Sequence, residues 1–315
     1  MKTFDQTLSG PSDRAVYCKL IAVTMIWGGT FVAGRLLSGA LEPLLAASVR
    51  FLLASLALLL FMACKRIALV RPNLRQWVQL VILGFFGIFF YNLCFFYGLQ
   101  RINASRASLI VALNPAVIAL ASWLLLREQL SRRKVFGIVV CVLGAALVIL
   151  SRDPQALRGT ADSGLGDLLI LGCVLGWGVY SLCSRGLNQS LGPLHTVTYS
   201  IVLGTLMLGA ATALRGELDL QALLDLRAVQ GLSLLYLGLM GSALAYIWYY
   251  DGLRQIGATR SGVFIALNPL TAVILGALLL GEQLSLSMGL GAALILLGIY
   301  QCNKPLASPA KKRIL

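Results

Sequence analysis

Charge is scarce in this chain. Asp, Glu, Lys and Arg make up 12% of its 315 residues, about half the share found in a soluble domain, so the chain does not read as a water-soluble globule. Acids are scarcer still, 12 Asp and Glu against 26 Lys and Arg. None of them lies near the middle of a long apolar run, which removes the embedded carboxylate that a proton relay or a membrane-embedded acid–base enzyme would need. Histidine is almost missing: His195 stands alone at the end of an apolar run, leaving nothing from which to assemble a His-based metal or catalytic cluster. The seven cysteines (Cys18, Cys64, Cys94, Cys141, Cys173, Cys183, Cys302) are odd in number and show no C-x-x-C spacing, so disulfide and zinc frameworks are not expected and the thiols read as small apolar filler. Long polar stretches are also absent. With no connection longer than about fifteen residues, there is no room for a soluble catalytic or nucleic-acid-binding domain.

Apolar sequence fills the space instead: 58% of residues are hydrophobic and the mean hydropathy is +0.85. Runs of about 20 residues, long enough to cross the hydrocarbon of a bilayer, recur at 20–38, 43–63, 77–98, 104–126, 134–151, 164–184, 193–213, 229–250, 258–280 and 286–302. The first run is as long as a full span and leads straight into further spans, so it reads as an uncleaved helix rather than a signal peptide. The expected fold is an all-α integral membrane protein of ten transmembrane helices. The basic residues orient it. Those in the tail before 20, in the 64–76 and 127–134 connections and after 303 belong to one side, with Arg185 and Arg254. They outnumber Arg35, Arg101, Arg152, Arg158, Arg215 and Arg227 on the other side by roughly three to one, which sets both termini in the cytoplasm under the positive-inside rule. The net charge of +14 then meets anionic lipid, not nucleic acid.

The chain also repeats itself. Displaced by 154 positions, 104–131 aligns with 258–285 without a gap, and 13 of the 28 pairs are identical. Gly137 and Gly144 meet Gly291 and Gly298 at the same shift, while Trp27-Gly28 and Arg35 meet Trp177-Gly178 and Arg185 at a shift of 150. Each copy holds five expected spans, an odd number, so the second copy enters the membrane upside down. The expected organisation is a cytoplasmic tail at 1–19, one five-helix repeat at 20–152, an inverted one at 164–302 and a basic cytoplasmic tail at 303–315. Inverted repeats of this kind build secondary transporters, with a substrate site at the repeat interface near mid-membrane.

The stretches "MIWGGTFVAGR", "AASVRFLLASLALLL", "LNPAVIALASWLLLREQLSRRKVFGIVVCVLGAALVI" and "LNPLTAVILGALLLGEQLSLSMGLGAALILLGIY" resemble the two EamA domains of the drug/metabolite transporter superfamily, across roughly residues 20–302. The resemblance implies a ten-helix bundle in a bacterial inner membrane. Its activity would be the export of small metabolites, commonly amino acids and their derivatives, with spans 1, 3, 4, 6, 8 and 9 around a central cavity.

Several residues are candidates for that site. Asn114-Pro115 and Asn268-Pro269 fall mid-span in the two copies. Each proline removes a backbone donor and frees a carbonyl four residues earlier, at Val111 and Ile265, and the asparagines add polar groups at the same depth. The pair reads either as a substrate-facing polar girdle with hinge capacity or as packing and kinking alone. Arg50 is the one basic residue clearly inside a span, either an anchor for a substrate carboxylate or a snorkelling side chain. Tyr91, Asn92, Tyr180, Tyr246 and the Trp27/Trp177 pair are candidates for the cavity wall. Glu128 and Glu282 end the Asn-Pro spans, at the cytoplasmic and outer mouths respectively, as gating residues or as loop anchors beside the caps Ser131 and Ser285. No cofactor and no metal is expected. The partners are a small-molecule substrate and membrane lipid, and both monomer and homodimer stay open. Export of a small polar, amino-acid-derived or metal-chelating solute is the leading reading, ahead of an importer or exchanger, a membrane-embedded enzyme and a lipid flippase.

Overall fold

The computed structural model describes residues 11–37, 40–99, 101–102, 107, 110–152, 163–268, 270–271, 274 and 285–304, and among them it is helical without a β-strand. In chain order the helices are α1 Pro11–Leu37 and α2 Pro43–Cys64, then a composite of α3 Leu74–Leu83, a π-helical turn Gly84–Phe90 and α4 Tyr91–Leu99. There follow α5 Asn114–Leu126, α6 Arg132–Arg152, α7 Ser163–Ser190, α8 Gly192–Leu214 and the short α9 Leu220–Leu224. A second composite joins α10 Ala228–Leu235, a π-helical turn Tyr236–Leu244 and α11 Ala245–Ile256. Last come α12 Ala258–Gly262, running into a 3-10 turn Val263–Leu267, and α13 Leu286–Asn303.

Seven of the ten expected spans appear at a length and apolarity sufficient to cross a membrane: Pro43–Cys64, Leu74–Gly98, Arg132–Ser151, Gly164–Ser190, Gly192–Leu214, Ala228–Ile256 and Leu286–Asn303. The first expected span falls largely within α1. The fourth and ninth appear as shorter apolar helices, Asn114–Leu125 and Ala258–Leu267, and the rest of each lies partly outside the described residues. Their outer surfaces carry exposed leucines such as Leu60, Leu125, Leu206 and Leu296. Patches of that size are tolerated where lipid covers them.

Helix starts follow from local chemistry. Pro43 and Pro193 sit in the first turn of α2 and α8, where a missing N–H costs nothing. Asn73 and Gln76 form a reciprocal capping box at α3. Ser131 accepts from the Lys134 amide at 3.3 Å and Ser285 from the Met288 amide at 3.2 Å, so both serines cap as their positions suggest.

Two seams join the halves, and both bring equivalent positions of the two copies together. Along α6 and α13, a Cβ on Gly144 would lie 2.8 Å from the Gly291 carbonyl oxygen, and one on Gly137 would lie 2.7 Å from that of Gly298. Rising numbers on one helix meet falling numbers on the other, so the pair is antiparallel, and the absent side chains let the backbones touch. At its centre the Cys141 thiol donates to the Ile295 carbonyl, 154 residues away, at 3.4 Å. Along α2 and α8, Ser48 meets Thr212 at 2.7 Å and Ser55 meets Thr205, 150 residues away, at 2.9 Å. Those separations are the shifts read from the sequence repeat.

Candidate functional site

Between these seams lies a cluster of aromatic rings drawn from both halves. Trp27 of α1 and its repeat partner Trp177 of α7 meet edge to face, with centroids 5.3 Å apart and planes at 85°. Tyr246 and Tyr249 of α11 close on both indoles, at 6.0 and 5.3 Å from Trp27 and 5.6 and 5.4 Å from Trp177. Tyr91 of α4 and Tyr180 of α7 pack on Trp177 at 5.8 and 5.2 Å. Pairs in these orientations add about 0.5–1.5 kcal/mol each beyond the area they bury. The polar ends of several rings are held as well. Trp27 Nε1 donates to the Gly241 carbonyl at 3.0 Å, Tyr180 shares a hydrogen bond with Ser200 at 3.3 Å, and Tyr249 shares one with Ser181 at 3.3 Å.

Both π-helical turns line this cluster, one in each half, and each contributes a glycine to it. A Cβ on Gly87 would overlap the Tyr180 ring, and one on Gly241 would come within 2.8 Å of the Thr30 methyl. Glycine is required at both places by the closeness of the opposing helix. The i→i+5 bonding of a π-turn also redistributes backbone acceptors, and Gly241, inside such a turn, offers its carbonyl to Trp27.

Arg50 of α2 borders the cluster. Its Nε donates to Ser242 Oγ at 2.7 Å, and its guanidinium carbon lies 5.1 Å from the Phe51 ring centroid, in cation–π range. Phe51 in turn packs on Tyr246 at 6.2 Å. The side chain is partly buried, and among the described residues no carboxylate pairs with it. Arg50 therefore does not snorkel away from the bundle: its charge stays beside the Phe51 ring, and among the described residues only its Nε has an acceptor.

The doubled Asn-Pro segments look different from a kink. Ile110 and Val111 are helical, the backbone turns at Ala112–Leu113, and α5 begins at Asn114, so the helix is interrupted immediately before Pro115. Pro115 thereby stands in a first turn, where it has no intrahelical hydrogen bond to lose. In the second copy the α12 helix tightens into a 3-10 turn that ends against Asn268; Pro269 lies outside the described residues. Asn114 Oδ1 and Asn268 Oδ1 are both buried without a hydrogen-bond partner. Asn92 does not join the cluster through its amide, which donates to the Ile88 carbonyl of its own helix at 2.6 Å.

Glu128 is no free loop acid. It accepts from Arg185 Nη1 at 2.7 Å through Oε1 and from Thr259 Oγ1 at 3.1 Å through Oε2, joining the end of α5 to α7 and α12. Neighbouring contacts strap the same end of the bundle. Lys19 pairs with Asp251 at 2.6 Å across α1 and α11, and Arg260 donates to Tyr17 and to Asn303 of α13. Glu282 lies outside the described residues.

The sequence had pointed to Trp27, Arg50, Tyr91, Trp177, Tyr180 and Tyr246, and the structure brings them together. It had not singled out Tyr249, Phe51, Ser242 or Thr259. Tyr249 carried a signal, standing one helical turn after Tyr246, whereas Ser242 and Phe51 are ordinary membrane-helix residues until the fold sets them against Arg50.

Comparison with known proteins points one way. The model of the EamA-like transporter family matches residues 14–150 and again 164–303. The uncharacterized transporter YyaM of Bacillus subtilis (strain 168) is 27% identical over 93% of this chain and 95% of its own length. An uncharacterized transporter of Archaeoglobus fulgidus is also 27% identical, over 89% of this chain and 96% of its own. A protein of known crystal structure, 19% identical, has the same fold, with a TM-score of 0.75 over 92% of this chain and 97% of that one.

Proposed function

Because the chain belongs to the EamA-like transporter family, we propose that it is a secondary transporter that exports a small carboxylate-bearing, amino-acid-derived solute from the cytoplasm by alternating access. The observation that carries this reading is Arg50: a guanidinium held against Phe51 at the edge of the aromatic cluster, with no carboxylate among the described residues to balance it. A charge in that position is costly unless something neutralises it, and a visiting carboxylate does so with two parallel hydrogen bonds. Trp27, Tyr91, Trp177, Tyr180 and Tyr246 wall the site, and the unpartnered oxygens of Asn114 and Asn268 face the solute from the two broken helices. Ten spans in two inverted repeats, with both termini cytoplasmic, complete the reading. Its support is the odd number of spans in each copy, the meeting of equivalent residues across two antiparallel seams and the uneven distribution of basic residues. Glu128 then belongs to the strapped cytoplasmic end.

The test is counterflow in proteoliposomes of purified protein against amino acids and their acylated or hydroxylated analogues, with Asn114→Ala, Asn268→Ala and the double variant. Each single change is expected to slow exchange several-fold. The double is expected to depart from the sum of the two, since both residues act on one solute. Rates indistinguishable from wild type in all three variants would assign the asparagines to packing, and no counterflow of any solute would sink the transport reading.

A further inference from the structure

Resting on the transport reading above, we infer that the solute is a monoanion: a carboxylate on a flat unsaturated body, bearing a neutral hydroxyl or N–H donor where an amino acid bears its ammonium group. The first ground is charge. Arg50 is the one described cation in cation–π range of a ring that packs on the cluster, and no described carboxylate pairs with it. Glu128 is taken by Arg185 and Thr259, and Asp251 by Lys19 and Gln255. A monoanion makes the occupied site neutral. A zwitterion leaves it at one net positive charge and an amine at two, in surroundings of low dielectric where that surplus is weakly screened.

The second ground is shape. Phe51 lies under the guanidinium, Tyr246 packs on Phe51, and Trp27 and Trp177 stand beyond it. A carboxylate held by Arg50 therefore places its attached body among aromatic faces and edges, where a planar group gains offset or edge contacts. The third ground is hydrogen bonding. Asn114 Oδ1 and Asn268 Oδ1 are acceptors buried without donors, and leaving such groups unpaired is costly. A hydroxyl or amide N–H satisfies an acceptor without adding charge.

Four compounds of nearly one shape separate these grounds: 3-phenyllactate, 3-phenylpropionate, phenylalanine and phenethylamine. Binding is read from tryptophan fluorescence of the full chain in lipid nanodiscs, and transport from counterflow in proteoliposomes, for wild type and Arg50→Gln. Phenyllactate is expected to bind about tenfold or more tightly than phenylalanine, given the cost of a second cation near Arg50. Phenylpropionate is expected to fall between them and phenethylamine last, and Arg50→Gln is expected to collapse the order. Phenylalanine or phenethylamine binding as well as phenyllactate overturns the inference while leaving transport standing, as does absence of binding by all four compounds when other solutes still exchange. Phenyllactate binding in the predicted order without counterflow of any solute overturns the transport reading and leaves the charge assignment intact.

Discussion

The two halves of the molecule differ most where they face the aromatic cluster. Thr30 and Arg50 of the first half occupy the places that Tyr180 and Ser200 hold in the second, each displaced by 150 residues. In the second half the Tyr180 ring covers Gly87 and its hydroxyl meets Ser200, so the half supplies both members of its own hydrogen bond. In the first half a small threonine lies against Gly241, and the guanidinium reaches out to Ser242, which belongs to the other copy. The repeated residues build the scaffold: the paired indoles, the seam glycines and the capping serines. The one charge beside the cluster stands where the copies diverge, since a strictly symmetric arrangement would carry two arginines or none.

That contrast is open to direct attack. The largest effect is expected from Arg50→Ala beside its counterpart Ser200→Ala. Loss of a charged hydrogen-bonding group is worth about 1.5–3 kcal/mol, so Arg50→Ala should weaken solute affinity by about ten- to a hundredfold. Ser200→Ala, which removes neutral hydrogen bonds to the Tyr180 hydroxyl and the Val197 carbonyl, should cost about 1–2 kcal/mol of stability and leave affinity nearly unchanged. Equal losses of affinity in both would erase the asymmetry. Glu128→Gln ranks next. It keeps an acceptor for Thr259 but removes the charge facing Arg185, a pair exposed enough that about 0.5–1 kcal/mol is expected, read as a small drop in thermal unfolding temperature in one detergent. The smallest effect is predicted for Pro115→Ala. As a first-turn residue, Pro115 blocks no helical hydrogen bond, so the change should destabilise by less than about 1 kcal/mol, through added freedom of the unfolded chain. A clear gain in stability would instead mark Pro115 as the cause of the interruption at Ala112–Leu113.

Much of this was legible in the sequence because membranes impose coarse rules. Span length and the repeat gave the order of helices, and the doubling of Trp27 with Trp177 and of Asn114 with Asn268 marked the places worth inspecting. What stayed hidden was rotation. A soluble helix shows its buried face by apolar periodicity, but a span such as Pro43–Cys64 is apolar all round, so nothing in it announces that Arg50 turns toward Ser242 or that Phe51 lies beneath the guanidinium. Asn92 shows the same gap in reverse: a polar residue at the right depth that spends its amide on its own helix. Glu128 was noticed for its place at a helix end, yet its Thr259 partner is separated from it by 131 residues, and no local pattern links them.

The two π-turns set the phase of the whole interior. A π-turn holds one residue more than an α-turn, so Gly84–Phe90 and Tyr236–Leu244 each work as a one-residue insertion in an otherwise regular helix. Straightening either into regular α-helix without removing a residue would leave hydropathy and span length essentially untouched. It would also turn everything beyond it by about 100° around the helix axis. Tyr91 would swing away from Trp177, or Tyr246 and Tyr249 away from both indoles, and Arg50 would keep Phe51 beneath it but face a different set of rings beyond. The same sequence with a regular turn at either place would thus be unchanged as a membrane protein and different in its interior, because a single count along the helix decides which side chains look at one another.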